Sequence, residues 1–168
     1  QMVNEGLFGE EFVLLQKKDG WWRVQLGDGY RGWIDENQVV QVSDDERGRR
    51  NELSLCRIKN IAAHILKQPR EGSSCMHVVF TGCMLPFIVK EKQWVKLLLP
   101  DMRSGWIKKS VVQFTALMKK KVIGKDIVAT AWEFLGTPYL WGGRSPNGFD
   151  CSGLVQRSYE LNGIRLSR

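Results

Sequence analysis

The 168-residue sequence contains no long hydrophobic run. Its apolar stretches are short, as at residues 97–99, and none approaches the roughly 18 residues of a membrane-spanning helix. The first residues also lack the basic start and the apolar core of a secretory signal. We therefore expect no membrane span. A hydrophobic content of 43% is enough to bury the core of one domain or of two to three small ones.

Cysteine and histidine are scarce. None of the four cysteines forms a Cys-x-x-Cys pair, so the sequence predicts no zinc site, no redox pair and no cofactor. Cys75 and Cys83 flank a predicted strand, where a disulfide is possible but free buried thiols are favoured. The two histidines, His64 and His77, are interpreted as surface or core residues, and no histidine follows Cys151.

Basic residues outnumber acidic ones. The chain has 25 Lys and Arg against 18 Asp and Glu, a net charge of +7, which suits an anionic partner such as nucleic acid, acidic lipid or a wall polymer, although a merely basic, soluble surface is the favoured interpretation. The basic clusters at residues 47–50 and 119–121 lie in polar stretches and are interpreted as solvated linkers. The sequence has no RNA-recognition motif, zinc-finger spacing or helix-turn-helix pattern, so nucleic acid is not a predicted partner.

The sequence repeats itself, without a gap, at a spacing of 73 residues. Trp21 and Trp33 are 12 residues apart, and so are Trp94 and Trp106. Short apolar strands separated by glycine turns, such as Asp19-Gly20, predict a small β-barrel in each copy. Both copies resemble the bacterial SH3-like wall-associated domains. The aligned identities are Gly9, Lys17, Trp21, Asp28, Gly32, Trp33, Ile34 and Val39 with Gly82, Lys90, Trp94, Asp101, Gly105, Trp106, Ile107 and Val112.

The second copy is preceded by an additional strand-like segment. Residues 60–69 form the predicted opening strand of that copy, and the spacing of 73 puts its counterpart in the first copy at position −12. We therefore expect the first barrel to lack its opening strand in this numbering, because the chain begins inside a domain.

Two helices are predicted in the last third of the chain. Residues 125–136 have apolar side chains at helical spacing, with Ile127, Val128, Ala131, Phe134 and Leu135 on one face. A second helix is expected to begin at Asp150 or Cys151 and to end near Asn162-Gly163. Its inward residues are predicted to be Leu154, Val155 and Tyr159, and its solvent-facing residues to be Gln156, Arg157 and Glu160.

Cys151 therefore lies at a predicted helix N-terminus. The amides of a first helical turn stabilise a thiolate and can donate to a developing oxyanion. The glycines Gly142, Gly143 and Gly148 allow a close backbone approach to a bound chain. These features fit a nucleophile, while a buried structural cysteine beside a turn is the alternative.

The segment Tyr139-x-Trp141-Gly142-Gly143, followed by Asp150-Cys151-Ser152-Gly153, resembles the catalytic signature of the NlpC-type peptidoglycan cysteine peptidases. With two preceding SH3-like copies, the chain resembles the γ-D-glutamyl-L-diamino acid endopeptidases of dipeptidyl-peptidase VI type. The resemblance implies a fold that is mostly β plus α+β. Two small SH3-like β-barrels would be followed by the N-terminal helical part of a papain-like, NlpC-type domain.

The resemblance also implies roles for individual residues. Cys151 would be the nucleophile, and Tyr139 would hold the substrate or the oxyanion beside it. Asp150 and Ser152 would bind the free amine and the backbone of an N-terminal L-Ala-γ-D-Glu unit, and Trp141 would line the same pocket or serve as a core aromatic. Arg144 and Asn147 fall in a variable insert and receive no role. The family's base is a histidine beyond the cysteine helix, so we expect this chain to be an incomplete piece of the enzyme and inactive alone.

The expected function is hydrolysis of the γ-D-glutamyl–diamino acid bond of peptidoglycan stem peptides. The alternative is a non-catalytic wall-binding module with a peptidase remnant. A bacterial envelope or secreted location is favoured over the cytoplasm. The predicted boundaries are 1–45 for the first SH3-like domain, 46–59 for a linker, 60–115 for the second SH3-like domain and 122–168 for the peptidase part.

Overall fold

The computed structural model describes residues 2–114 and 122–167. The predicted basic cluster at 119–121, and the end residues 115 and 168 of two predicted domains, lie outside this range. The described residues group into two compact units, which are residues 2–39 with 122–167 and residues 40–114. The domain boundaries remain a prediction.

Strands predominate in the described residues, and three helices accompany them. In chain order the elements are β1 (Phe12–Lys18), β2 (Trp21–Leu26), β3 (Arg31–Asp35), α1 (Asp44–Glu52), β4 (Leu55–Ile58), β5 (Ala62–Leu66), β6 (Cys75–Phe80), β7 (Met84–Lys90), β8 (Trp94–Leu98), β9 (Ser104–Lys108), β10 (Val112–Phe114), α2 (Gly124–Trp132), β11 (Arg144–Ser145), β12 (Gly148–Phe149) and α3 (Cys151–Leu161). No helix of the described ranges has the length and apolar character that crossing a bilayer requires.

The strands form open antiparallel sheets. The order β1-β2-β3 makes a three-stranded sheet in the first unit, and β10-β4-β7-β8-β9-β5-β6 makes a seven-stranded sheet in the second. The mostly β fold predicted from the sequence is confirmed, although neither sheet closes on itself within the described residues. A two-stranded hairpin, β11-β12, precedes α3.

The two sequence copies share detailed backbone geometry. The ladder between β1 and β2 shifts register between Leu14 and Gln16, and the ladder between β7 and β8 shifts between Phe87 and Val89, 73 residues later. Asp19 and Gly20 both have positive φ, 48° and 79°, as expected for a tight two-residue hairpin turn. The predicted repeat is therefore a repeat of structure.

The two copies differ in how completely their cores are covered. Trp94 in the second copy is 9% exposed, whereas its counterpart Trp21 is 46% exposed. Ile65 from β5 packs over Gly105 in the second copy, but the equivalent Gly32 has no neighbouring atom nearer than 3.9 Å to a hypothetical Cβ. A cavity of about 400 Å³ opens beside Trp21 and Gly32 in the first copy.

Residues 46–59, which were predicted to be a linker, contain most of α1 and all of β4. The Ser43 side chain caps α1, and the Glu46 carboxylate accepts a hydrogen bond from the Ser43 amide at 2.8 Å, which completes a capping box. The Arg50 side chain is buried and donates to the Leu99 carbonyl at 2.9 Å. Basic residues of this stretch therefore contribute to the second unit, where Arg50 satisfies a buried carbonyl.

The first predicted helix is shorter than expected. α2 ends at Trp132, and Val128 and Leu135 are 56% and 77% exposed, so the predicted apolar face was wrong at these positions. Phe134, just after the helix, is buried instead, with its ring 4.8 Å from that of Phe149. This contact of two rings places the segment after α2 against the strand that leads to Cys151.

Candidate active site

Cys151 is the first residue of α3, and its side chain is exposed. Asp150 is the N-cap, as one of the two predicted alternatives required, with φ −89° and ψ 176°. Its Oδ1 accepts hydrogen bonds from the Gly153 amide at 2.6 Å and from the Ser152 hydroxyl at 3.0 Å. The cap therefore fixes where the helix begins and holds Cys151 at its positive end.

The glycine-rich loop packs directly against the start of α3. The Gly142 amide donates to Asp150 Oδ2 at 3.0 Å, and the Asp150 amide donates to the Gly143 carbonyl at 3.2 Å. A Cβ added at Gly153 would lie 2.1 Å from the Gly143 oxygen, and one added at Gly143 would lie 2.2 Å from the Gly148 oxygen. The close approach at these glycines is therefore between parts of the chain itself.

The two predicted aromatic residues are exposed. Tyr139 is 66% exposed and forms a parallel bridge with Phe149, and Trp141 is 57% exposed in this chain, so its role as a pocket wall or a core aromatic stays a prediction. The Leu140 amide donates to the Phe149 carbonyl at 3.0 Å. The structure thus brings the segment around Tyr139 beside the residue two positions before Cys151.

Asp150 and Ser152 are joined to each other by a hydrogen bond. Asp150 is 9% exposed, and its carboxylate accepts from the donors of Gly142, Ser152 and Gly153. The role of these two residues in binding a substrate amine stays a prediction. In the structure, the contacts of Asp150 are those of the N-cap of α3.

The histidines belong to the other compact unit. His64 is an exposed residue of β5, paired with Val78, and His77 is a half-buried residue of β6, paired with Ile65. Their interpretation as ordinary sheet residues fits these positions. No group of three His, Cys, Asp or Glu side chains in the described ranges is arranged to hold a metal ion.

All four cysteines are free thiols, as favoured from the sequence. Cys56 and Cys83 are buried, whereas Cys75 and Cys151 are exposed. Burial raises the pKa of the Cys56 thiol to about 12, so Cys56 is unreactive at neutral pH. Cys75 is exposed, so the prediction of a buried thiol was wrong for this residue, which begins the strand β6 that it was expected to flank.

The buried face of α3 is polar, which the sequence pattern did not indicate. Gln156 and Arg157 are 5% and 1% exposed, and Val155 is 50% exposed, so the predicted orientation of the helix was wrong. Gln156 Nε2 donates to Asp28 Oδ2 at 3.0 Å, and Arg157 Nη1 donates to Glu160 Oε2 at 2.9 Å. Polar partners offset the cost of burying these side chains.

Arg144 was also missed, because it was placed in a variable insert. It is 3% exposed, and its Nη1 lies 3.2 Å from Glu10 Oε1. Glu5 contributes two further bonds to the hairpin, since its carboxylate accepts from the Arg144 amide at 2.7 Å and from the Ser145 hydroxyl at 2.8 Å. An acidic residue 139 positions away carries no local sequence signal for such a contact.

Two protein-family models match segments of the chain, one near each end. Residues 136–168 match the model of the NlpC/P60 family, and residues 1–39 match that of the bacterial dipeptidyl-peptidase Sh3 domain. A solved NlpC/P60 family protein from Bacillus cereus superposes with a TM-score of 0.84 at 26% identity, covering 98% of this chain and 56% of that one.

Curated relatives align along the whole chain. A gamma-D-glutamyl-L-lysine dipeptidyl-peptidase of Bacillus cereus is 27% identical, covering 100% of this chain and 53% of the relative. Dipeptidyl-peptidase 6 of Lysinibacillus sphaericus is 26% identical, covering 100% of this chain and 65% of the relative. The chain therefore spans about half to two thirds of these relatives. The resemblance predicted from the cysteine motif is confirmed: the chain resembles the NlpC-type cysteine peptidases that carry bacterial SH3-like domains.

Proposed function

We propose that the protein carrying this chain is a cysteine endopeptidase that cleaves the γ-D-glutamyl–diamino acid bond of peptidoglycan stem peptides, chiefly those with a free N-terminal L-Ala. The observation that carries the proposal is the exposed Cys151 at the start of a capped helix, inside the segment that matches the NlpC/P60 family. The names of the aligned dipeptidyl-peptidases support the bond and the substrate class.

The proposed reaction is acyl transfer to sulfur. The Cys151 thiolate attacks the γ-carbonyl carbon of D-Glu, the amide C–N bond breaks, and the diamino acid leaves as an amine after gaining a proton. Water then hydrolyses the S-acyl enzyme and restores the thiol. By the resemblance, a histidine beyond the cysteine helix moves these protons, and the sequence has no histidine after Cys151.

The start of α3 offers donors for the developing oxyanion. The first backbone bond of the helix runs from the Leu154 amide to the Asp150 carbonyl at 3.0 Å, and the Gly153 amide is taken by the cap. The amides of Cys151 and Ser152 precede these bonds at the positive end of the helix. We assign them to the oxyanion, with Tyr139 beside it.

The same proposal assigns the remaining predicted residues to substrate binding. Asp150 supplies a negative charge for the ammonium of L-Ala, and Ser152 binds the peptide backbone. The exposed ring of Trp141 offers an apolar wall. We propose a bacterial envelope or secreted location for a protein that acts on a wall-derived substrate.

The test uses the full-length protein and an L-Ala-γ-D-Glu-diamino acid tripeptide. Cys151→Ala is expected to lower kcat/KM by more than about 1000-fold, because the nucleophile is lost. Cys75→Ala is the matched control, since it removes the other exposed thiol and is expected to leave kcat/KM unchanged. Product release is measured by chromatography, and equal turnover by Cys151→Ala and the parent protein would rule the mechanism out.

A further inference from the structure

A buried arginine connects the first SH3-like segment to the cysteine helix. The Arg144 side chain is 4% exposed, and its Nη1 donates to the Glu5 carbonyl at 3.1 Å and to Glu10 Oε1 at 3.2 Å. Its Nη2 lies 3.7 Å from Glu160 Oε2 on α3. Because a buried guanidinium requires charged partners, these carboxylates are what make its position stable.

The backbone of Arg144 makes the same connection. Its amide donates to Glu5 Oε2 at 2.7 Å, and its carbonyl accepts from Arg157 Nε at 3.3 Å. One residue thus contacts the first segment of the chain through Glu5 and Glu10, and contacts α3 through Arg157 and Glu160. All of these contacts lie within one compact unit.

This residue lies next to the atoms that hold the helix cap. Arg144 pairs with Phe149 in the β11-β12 hairpin, two residues before Cys151. Its neighbours Gly143 and Gly142 bond the amide and the carboxylate of Asp150. A displacement of Arg144 is therefore transmitted to the N-cap through one hairpin pair and two hydrogen bonds.

We infer that Arg144 is a positioning residue, through which Glu5 and Glu10 of the first SH3-like segment set the orientation of Cys151. The inference rests on the proposed function only in taking Cys151 as the nucleophile. Arg144 does not itself contact a reacting group. It holds the hairpin from which α3 starts, so the SH3-like segment becomes part of the structure that makes the thiol reactive.

The arrangement predicts which substitutions matter. Arg144→Met keeps the length of the side chain but removes the buried cation, so that the half-buried Glu10 carboxylate loses its partner while Glu160 keeps only Arg157. Glu10→Gln removes one charge and leaves the arginine its bonds to Glu5. We expect the first substitution to disturb the cap more than the second.

The experiment measures alkylation by iodoacetamide in the full-length protein. Rates at Cys151 and at the exposed Cys75, in the other unit, are read from the same samples by peptide mass spectrometry, and Cys75 serves as the internal reference. In Arg144→Met, the ratio of the Cys151 rate to the Cys75 rate is expected to fall by about 2- to 30-fold, as for substitutions within a coupled network. Glu10→Gln lowers the ratio less, and the double variant lowers it no further than Arg144→Met alone.

Controls separate positioning from general destabilisation. Arg103→Met removes an exposed arginine that pairs with Asp101 and is expected to leave the ratio unchanged. A purely structural role would lower the thermal midpoint of Arg144→Met without changing the ratio in the folded protein, and that result, like a raised ratio, overturns the inference. If Arg144→Met does not fold, the test uses Arg144→Lys and Glu10→Gln. Arg144→Lys keeps the positive charge, and Glu10→Gln keeps the arginine side chain.

The outcome is independent of the peptidase assay. If the ratio falls but the full-length protein does not cleave the tripeptide, the positioning role stands and the proposed function fails. If the tripeptide is cleaved but the ratio does not change, the function stands and the coupling through Arg144 is wrong.

Discussion

Cys56 and Cys151 show how strongly position determines the chemistry of a thiol. Cys56 lies in β4 with no exposed surface, and its sulfur donates to the Leu85 carbonyl at 3.6 Å. Desolvation is the main reason that its pKa rises to about 12, from an ordinary value of 9.0. Cys151 is exposed at the start of a helix. One thiol is therefore a packing group and the other is available to a reagent.

Because the Cys56 thiol is buried, the free energy of unfolding is expected to vary with pH in the alkaline range. Folding raises the pKa of Cys56. The stabilisation that the neutral thiol gives to the folded state is therefore complete below about pH 9 and is lost as pH rises towards 12. Cys56→Ala is expected to cost about 1 kcal/mol at pH 7, through the small cavity it leaves. This cost should shrink between pH 9 and pH 11 in urea unfolding. Cys75→Ala, at an exposed thiol, is the control, and a constant cost for Cys56→Ala would contradict the linkage.

The residues that the sequence identified are those with a local pattern. Asp150 and Cys151 were the two predicted caps of the helix, and the cap bonds show that Asp150 is the N-cap. Arg144 was missed because its partners Glu5 and Glu10 are far away in the chain. A buried ion pair between distant residues has no period and no motif, so only the fold reveals it.

Equivalent strands of the two copies meet different neighbours. β9 lies beneath Ile65, whose Cγ2 would be 2.4 Å from a Cβ added at Gly105. In the first copy, a Cβ added at Gly32 in β3 would meet nothing nearer than the Tyr30 ring at 3.9 Å. The same sequence position is therefore filled in one copy and open in the other.

The two glycines form a matched pair for mutation. Gly105→Ala is expected to destabilise the second unit by about 1–3 kcal/mol, because Ile65 is buried and must shift. Gly32→Ala is expected to change stability by less than about 0.5 kcal/mol, because the added methyl group enters open space. Hydrogen exchange of the β9 and β3 amides reports each unit separately. Equal effects of the two substitutions would show that the local packing differs from this description.

The pattern of elements was more predictable than their faces. The spacing of 73 residues predicted two copies of one strand-rich unit, and even the register shifts after Leu14 and Phe87 follow it, although the predicted barrels are open sheets. The face of α3 was predicted incorrectly because periodicity assigns apolar residues to the interior. Here Gln156 and Arg157 are buried by their hydrogen bonds, while Val155 is exposed.

Charge is unevenly distributed between the two compact units. Residues 40–114 contain 13 Lys and Arg against 7 Asp and Glu, whereas residues 2–39 with 122–167 contain 8 against 11. The basic composition of the whole chain suggested an anionic partner without locating it. The unit that contains the second SH3-like copy is the one whose charge suits an anionic wall polymer.

Neutralising lysines in the two units should therefore have unequal effects. The double variant Lys67→Gln, Lys92→Gln is expected to elute from a polyphosphate resin at a clearly lower salt concentration than the parent chain. The variant Lys18→Gln, Lys125→Gln loses the same charge from the acidic unit and should shift less, because salt screens charges beyond about 8 Å. Identical shifts would mean that net charge alone controls retention.

The four thiols are divided so that each compact unit has one that is exposed. Cys75 belongs to the second unit and Cys151 to the first, while Cys56 and Cys83 are buried. Two nitroxide spin labels can therefore be attached to the natural sequence without engineered cysteines. Dipolar electron paramagnetic resonance would then measure the distribution of distances between the units in solution, with and without a murein peptide.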